Sequence, residues 1–339
     1  MSALLVSANG IPVGTIEIEN GRWKFGYAAE WKAYALSPNF PIATGTFEDT
    51  ADARPVEWFF ENLLPEGRLR DLIASRDRID PRDTWALLIR HGQDTAGALS
   101  LIPEGFDVAT EEILVPLAKE ALQEKIEESR TRNLPLMASW EEIRMSLAGA
   151  QEKLGLRIDA SGAMFLPEGS APSTHIVKPE NASADFPHCP ANEFFCMRLA
   201  HELKVPVPAV GLLHLPEPLY VIERFDRSPL DTGAEKVTGR AFGRLHQIDL
   251  CQALGVAPSK KYESEGGLGL HHLFGVLRGT FIDRPIVAAN AVVQWVAFNY
   301  LIGNAVFLNG AAALDYSTNP ISLEGFCELN GTSESLGPV

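Results

Sequence analysis

The chemistry of this chain begins at Ser146-Leu-Ala-Gly-Ala-Gln-Glu-Lys153, where a hydroxyl, a run of small residues and a lysine precede the strand-like Leu-Gly-Leu-Arg-Ile. A small-residue turn lets backbone N–H groups point at phosphate oxygens, and a lysine adds positive charge beside them. An ordinary surface turn has the same composition, so the segment by itself leaves both readings open. Thr174-His-Ile-Val-Lys178 reads as a strand ending in a second lysine. Such a lysine is either a phosphate-pairing group or a solvated strand end. Glu193 opens the helix that starts Asn192-Glu-Phe-Phe-Cys196. It either orients Lys178 by ion pairing or places a carboxylate favourably at a helix N-terminus. Val221-Ile-Glu-Arg-Phe-Asp-Arg227 is another strand, in which Arg224, Asp226 and Arg227 should form ion pairs of the surface kind. The Walker pattern G-x-x-x-x-G-K-[ST] is absent.

These residues need elements to hold them. Asn9-Gly10 and Asn20-Gly21 separate apolar-alternating segments, which predicts an antiparallel meander over Leu4–Ser7, Pro12–Glu19 and Arg22–Ala28. Helices are expected around Val56–Leu64, Arg68–Ala74 and Pro81–Arg90, the last with Asp80 capping ahead of Pro81. Residues 116–130 form a charge-laced amphipathic helix, and the polar stretch 131–140 suits a domain boundary. Strands follow at Gly155–Asp159, Ala163–Leu166 and Thr174–Lys178, then a loop over Pro179–Pro190 and the helix Ala191–Leu203. Strands near Gly211–His214 and Leu219–Phe225 precede helices at Ile248–Leu254, Leu270–Leu277 and Val287–Ile302. Phe59, Phe60, Leu63 and Leu64, together with Cys196 and Cys251, read as core.

A length of 339 residues accommodates two domains, and 46% hydrophobic with 22% charged residues suits a soluble globular protein. The net charge of −15 argues against direct nucleic-acid binding and would suit a basic partner. The first ten residues lack a signal-peptide pattern, and no apolar run reaches the length of a membrane span. Four scattered cysteines without metal-type spacing point to reduced thiols in the cytoplasm.

The segments quoted above, with Lys261-Tyr-Glu-Ser-Glu-Gly-Gly267, occur in the order found in the HipA family of bacterial toxin kinases. Phe59-Phe-Glu-Asn-Leu-Leu-Pro-Glu-Gly-Arg68 and Ala96-Gly-Ala-Leu-Ser-Leu-Ile-Pro103 resemble that family's N-terminal region. The resemblance covers roughly residues 1–305. It implies an α+β fold: an antiparallel β-rich N-terminal subdomain (1–105), a helical connector (106–140) and a bilobal kinase-like domain (141–305) with an incomplete helical C-lobe. Residues 306–339 would be an unrelated tail.

By the same resemblance the chain is a serine/threonine protein kinase of a type II toxin–antitoxin module, phosphorylating a translation protein such as an aminoacyl-tRNA synthetase. ATP would lie against Ala148, Gly149, Ala150, Gln151, Glu152 and Lys153, with Lys178 on its α/β-phosphates and Glu223 and Phe225 at the adenine hinge. Those three groups, Lys153, Lys178 and Glu223, are expected to converge on one cleft. Ser146 is the implied autophosphorylation site, and residues 261–267 bend near the cleft. The implied partner is a HipB-like helix-turn-helix antitoxin, with DNA contacted only through it and no membrane.

The sequence departs from the family after Asn304-Ala305. Where Gly-Asn-x-Asp-x-His-x-Lys-Asn would follow, it reads Gly303-Asn-Ala-Val-Phe-Leu-Asn-Gly, and Val306 takes the place of the catalytic Asp. No Asp-x-His-x-Lys-Asn occurs downstream, and residues 306–339 hold no lysine, arginine or histidine. The ligands of the family's Mg2+ are therefore missing too. This predicts a kinase impaired in phosphoryl transfer, with two alternatives: a pseudokinase that binds nucleotide or antitoxin, or a non-functional remnant.

Overall fold

The structure, a computed structural model, describes residues 3–106, 112–132, 136, 152–180, 187–230, 242–261, 266–278, 285–304 and 314–315. The N-terminal meander forms as its turns dictate. Strands β1 (Leu4–Ala8), β2 (Ile11–Glu19) and β3 (Arg22–Tyr27) pair antiparallel. Asn9 and Gly10 (φ 51° and 77°) and Asn20 and Gly21 (φ 51° and 75°) supply the positive dihedrals of two-residue hairpin turns. Strands β4 (Thr46–Glu48) and β5 (Leu99–Pro103), which the pattern did not reveal, complete a sheet of order β4-β3-β2-β1-β5.

Three helices follow, α1 (Pro55–Glu61), α2 (Gly67–Asp77) and α3 (Thr84–His91), of which α1 packs on β3 and α3 on β5. The Asp49 carboxylate accepts from the Val56 and Glu57 N–H groups (2.8 and 3.1 Å) and so caps α1 from a distance in sequence. Helix α3 starts later than expected. Its cap is Asp83, which accepts from the Ala86 N–H at 3.0 Å, while Asp80 is turned onto Arg82 and Pro81 lies outside the helix. The Asp-Pro signal was present but one turn too early, because the second aspartate is the one with a free i+3 amide to accept from.

The region between the two sheets is not purely helical. Strand β6 (Glu112–Leu117) joins the second sheet, and α4 (Lys119–Arg132) follows it. Strands β7 (Leu154–Ile158), β8 (Met164–Gly169), β9 (His175–Lys178), β10 (Val210–His214) and β11 (Pro218–Glu223) give the order β10-β11-β9-β7-β8-β6. Helix α5 (Cys189–Glu202) packs on β10 and β11. Short strands β12 (Arg227–Pro229), β13 (Phe242–Arg244), β14 (Gln247–Ile248) and β15 (Leu314–Asp315) form two small ribbons. Helices α6 (Leu250–Leu254), α7 (Leu270–Leu277) and α8 (Pro285–Leu301) follow. The reciprocal bonds of Asp249 and Gln252 cap α6.

One hydrophobic cluster runs from Leu4 and Phe25 through Leu154 and Tyr220 to Trp295, so the two sheets share a continuous core. Phe59, Phe60, Leu63, Leu64, Cys196 and Cys251 are all buried in it or beside it, as expected. Polar bonds also cross the join: Gln252 Nε2 donates to the Phe59 carbonyl (2.9 Å), and Ser37 Oγ donates to that of Gln252 (2.8 Å). No helix among the described residues is long and apolar enough to cross a membrane.

Candidate active site

Register assembles the site. Leu154 pairs with Val177 and Gly155 with Ile176, while Tyr220 pairs with Lys178 and Ile222 with Ile176. Continuing the first ladder by one residue sets Lys153 opposite Lys178. Directly opposed residues share a face, so Lys153, Lys178 and Tyr220 form one row across the sheet. Gly155, Ile176 and Ile222 form the next row on the same face. A pair of ammonium groups at one end of a strip formed by Gly155, Ile176 and Ile222 suits a flat ring joined to phosphates.

Both lysines are deeply buried, Lys153 at 0% and Lys178 at 1% exposure. Isolated ammonium groups would be costly there, and the fold compensates. Glu193 of α5, itself buried, receives Lys178 Nζ at 2.9 Å. Nζ also sits 5.6 Å from the centre of the Tyr220 ring, on the electron-rich face. Between the two readings of Glu193, the structure selects ion pairing: the helix starts at Cys189, so Glu193 lies past its first turn, and its carboxylate meets Lys178. Tyr220 carried no chemical motif, and only its register beneath Lys178 brings it into the site.

Glu223 lies elsewhere. It pairs with His175, three residues along β9 from Lys178, which at about 3.3 Å per residue is on the order of 10 Å away. Its side chain is exposed and points to the opposite face from Lys178. The register thus sets Lys153 beside Lys178 on one face, while Glu223 points its side chain to the other. Its N–H is bonded to the Ala209 carbonyl (2.9 Å), and the next N–H, of Arg224, to that of Thr174 (2.9 Å). Phe225 follows in a turn and is half-buried.

Glu152 is committed to the connector. Its Oε1 accepts from Ser129 Oγ (3.0 Å) and from the Leu136 N–H, and burial pushes its carboxyl above the ordinary value. That contact fixes the residue before Lys153 to α4. Ser146, Ala148, Gly149, Ala150, Gln151 and Val306 lie outside the described residues. Lys261, the first residue of the 261–267 segment, is buried and pairs with Glu66 (2.5 Å) and Asp249 (3.6 Å). It joins that segment to the Leu-Pro-Glu-Gly motif of the N-terminal region.

Arg224, Asp226 and Arg227 are not a surface group. All three are buried, and they bond to one another and to Asp94 and the backbone of residues 95–97. The sequence signal was a run of alternating charges, whose usual place is in solvent. Only the packing of the N-terminal region over them decides otherwise. Among the described residues there is no group of three or more His, Cys, Asp or Glu side chains placed to hold a metal ion.

A strand lysine paired to a helix glutamate, beneath a sheet that joins a helical region, defines a protein-kinase-like site on an α+β scaffold. Residues 4–102 match the HipA N-terminal domain and residues 145–305 the HipA-like C-terminal domain. The serine/threonine-protein kinase toxin HipA of Shewanella oneidensis is 33% identical over 293 residues, covering 82% of this chain and 63% of its own. Y4mE of Sinorhizobium fredii is 35% identical over 291 residues, covering 83% of this chain and 65% of its own. The chain thus spans less than two thirds of the length of these two relatives. A solved complex of Shewanella oneidensis HipA with HipB and operator DNA superimposes with a TM-score of 0.78 at 27% identity, over 96% of this chain and 76% of that one. This chain belongs to the HipA family of toxin kinases.

Proposed function

We propose that the chain is a HipA-like serine/threonine kinase component of a cytoplasmic toxin–antitoxin module, which binds ATP but is impaired in phosphoryl transfer. The observation that carries nucleotide binding is the buried Lys178–Glu193 pair with Lys153 in the adjacent register. Lys178 and Lys153 would neutralise phosphate charge, and the small-residue segment 148–151 would present N–H groups to it. The backbone of 223–225 would meet the purine edge. ATP supplies the transferable phosphoryl group, and the substrate would be a translation protein such as an aminoacyl-tRNA synthetase. A HipB-like antitoxin is the proposed protein partner, because the solved relative is a complex with HipB and operator DNA.

Impairment follows from Val306, a hydrocarbon side chain where the family pattern requires a carboxylate. Val306 can neither accept the proton of an attacking hydroxyl nor position it. The family match also stops at residue 305. Mass spectrometry of the purified chain after incubation with Mg-ATP tests both halves. Nucleotide should be retained while Ser146 stays unmodified. Stoichiometric phosphate on Ser146, absent from a Lys178→Ala variant, would overturn the impairment.

A further inference from the structure

Behind the 223–225 segment lie three guanidinium groups and two carboxylates with little exposure: Arg224 4%, Arg227 7%, Arg244 7%, Asp226 2% and Asp94 8%. Arg224 clasps Asp226 through Nε and Nη2 (2.8 and 2.6 Å), and Arg227 Nη1 adds a third contact at 2.9 Å. Asp94 Oδ1 accepts from Arg244 (2.6 Å) and Arg227 (3.2 Å). Ser173 Oγ accepts from Arg224 Nη1 (2.9 Å) and lies 3.3 Å from Asp94 Oδ2. Burial alone would raise the carboxyl of Asp94, but Arg244, Arg227 and Arg224 together bring it below the ordinary value. Arg227 is also pushed down, to about 9, chiefly by burial.

The backbone of the same N-terminal segment closes the cluster. The Thr95 carbonyl accepts from Arg224 (3.2 Å), the Gly97 carbonyl from Arg227 (3.0 Å), and the Gly97 N–H donates to Asp226 Oδ2 (2.7 Å). Gly97 has φ +79°, and a Cβ there would meet Gln247 at 3.0 Å, so the close approach demands glycine. Burying five charged groups rarely gains stability over an apolar filling, whereas it does restrict geometry. Two of the five flank Phe225 directly. The 223–227 backbone is held by the Ala209 and Thr174 carbonyls and by its ladders with β9 and β13, while Asp94–Gly97, Ser173 and Arg244 anchor the side chains on either side of Phe225.

We propose that Asp94–Gly97 of the N-terminal region positions the 223–225 backbone, and thereby sets the purine selectivity of the kinase cleft. The proposal rests on the reading of 223–225 as the base-contacting segment. Adenine and guanine differ in which edge atoms donate and accept, so a backbone held rigidly discriminates between them, and a loosened one loses that preference first. Phosphate binding at Lys178 would be a separate contact, at the opposite end of β9 from Glu223, and would be left in place. Asp94 and Ser173 are accordingly positioning residues that act through Arg224 and Asp226.

Calorimetric titration of the whole chain with ATP and with GTP tests this. The unaltered chain should prefer ATP. Ser173→Ala, which deletes one bridging hydroxyl, should reduce the ATP:GTP affinity ratio by a factor on the order of three to ten. Asp94→Asn should reduce it further, and Lys178→Ala should weaken both nucleotides alike with the ratio unchanged. Asp94→Asn leaves three guanidiniums facing one carboxylate and can unfold the chain, so the milder Ser173→Ala, checked by thermal melting, decides the matter. A folded Ser173→Ala variant with an unaltered ratio overturns the positioning role. Absence of binding by the unaltered chain overturns the nucleotide reading itself, and the positioning role with it.

Discussion

Lys178 and Glu193 can be judged as a pair, because each makes the other's burial tolerable. Breaking a buried ion pair by neutralising one partner is typically costlier than replacing both. Glu193→Gln should therefore lower the unfolding free energy by about 1–3 kcal/mol, read by urea denaturation, and weaken ATP binding. Glu193→Gln with Lys178→Met should recover part of that stability while abolishing nucleotide binding. Equal stability of both variants would contradict the pairing argument. His246 offers a second test at this scale. It is fully buried against Tyr34, its Nε2 lies 2.9 Å from the Leu36 carbonyl, and burial lowers its pKa from 6.5 to about 4. Between those values the unfolded chain takes up a proton that the folded chain refuses. Stability contributed by the neutral ring is thus complete above pH 6.5 and falls as pH drops towards 4, by about 3 kcal/mol at most. Asp49, raised by burial to about 6, works in the opposite sense over much of that window. Comparing His246→Gln with the unaltered chain isolates the histidine: the melting temperature of the variant should fall less between pH 7 and pH 5.

At the scale of elements, α8 stands out for carrying no charged residue over its length, Pro285–Leu301. One side is core, with Ala288, Val292, Trp295 and Phe298 buried. The other shows Ile286 (84%), Val287, Val293, Tyr300 (80%) and Leu301 (77%) exposed. An apolar stripe of this extent on an otherwise acidic protein favours association. Light scattering should show concentration-dependent self-association that Val293→Glu with Tyr300→Glu reduces. Unchanged association would place the contact elsewhere. The hairpins make the opposite case, in which one residue satisfies local and distant demands together. Asn9 adopts φ 51° for its turn, while its side chain donates to the Arg244 carbonyl (2.9 Å) and accepts from the Arg244 N–H (2.8 Å). The turn could be read from Asn-Gly. The bond across 235 positions could not, because nothing local to Asn9 distinguishes it from Asn20.

For the whole molecule, the two sheets share their core and their buried charges. The Asp94 cluster, Lys261–Glu66 and Gln252–Phe59 all cross between the N-terminal region and the residues after 145. Chemical denaturation followed by tryptophan fluorescence and by far-UV circular dichroism should give one coincident transition. Two separated transitions would mean that residues 1–105 fold independently of the kinase-like part. The N-terminal region expressed alone should be much less stable, since Asp94 and the apolar residues facing β14 and α6 would lose their partners.

Much of this protein was decided locally. Asn-Gly pairs, alternation of apolar residues and helical periodicity placed β1 to β3, β7, β9, β11, α1, α5 and α8 within a few residues, because those signals act over single turns or strand repeats. The motif order pointed to the family, and Lys178 with Glu193 was legible as one of two readings. Strands β4, β5, β6 and β12 to β15 were not legible. Most are short or lie at sheet edges, where pairing with a distant strand rather than alternation makes them strands. Tertiary structure alone put Tyr220 beneath Lys178, turned the Glu223 side chain to the other face and drew Glu152 onto Ser129. It also placed Arg224, Asp226 and Arg227 in the interior. A run of charged residues is stable in solvent wherever nothing covers it, and what covers this one is a segment about 130 residues earlier in the chain.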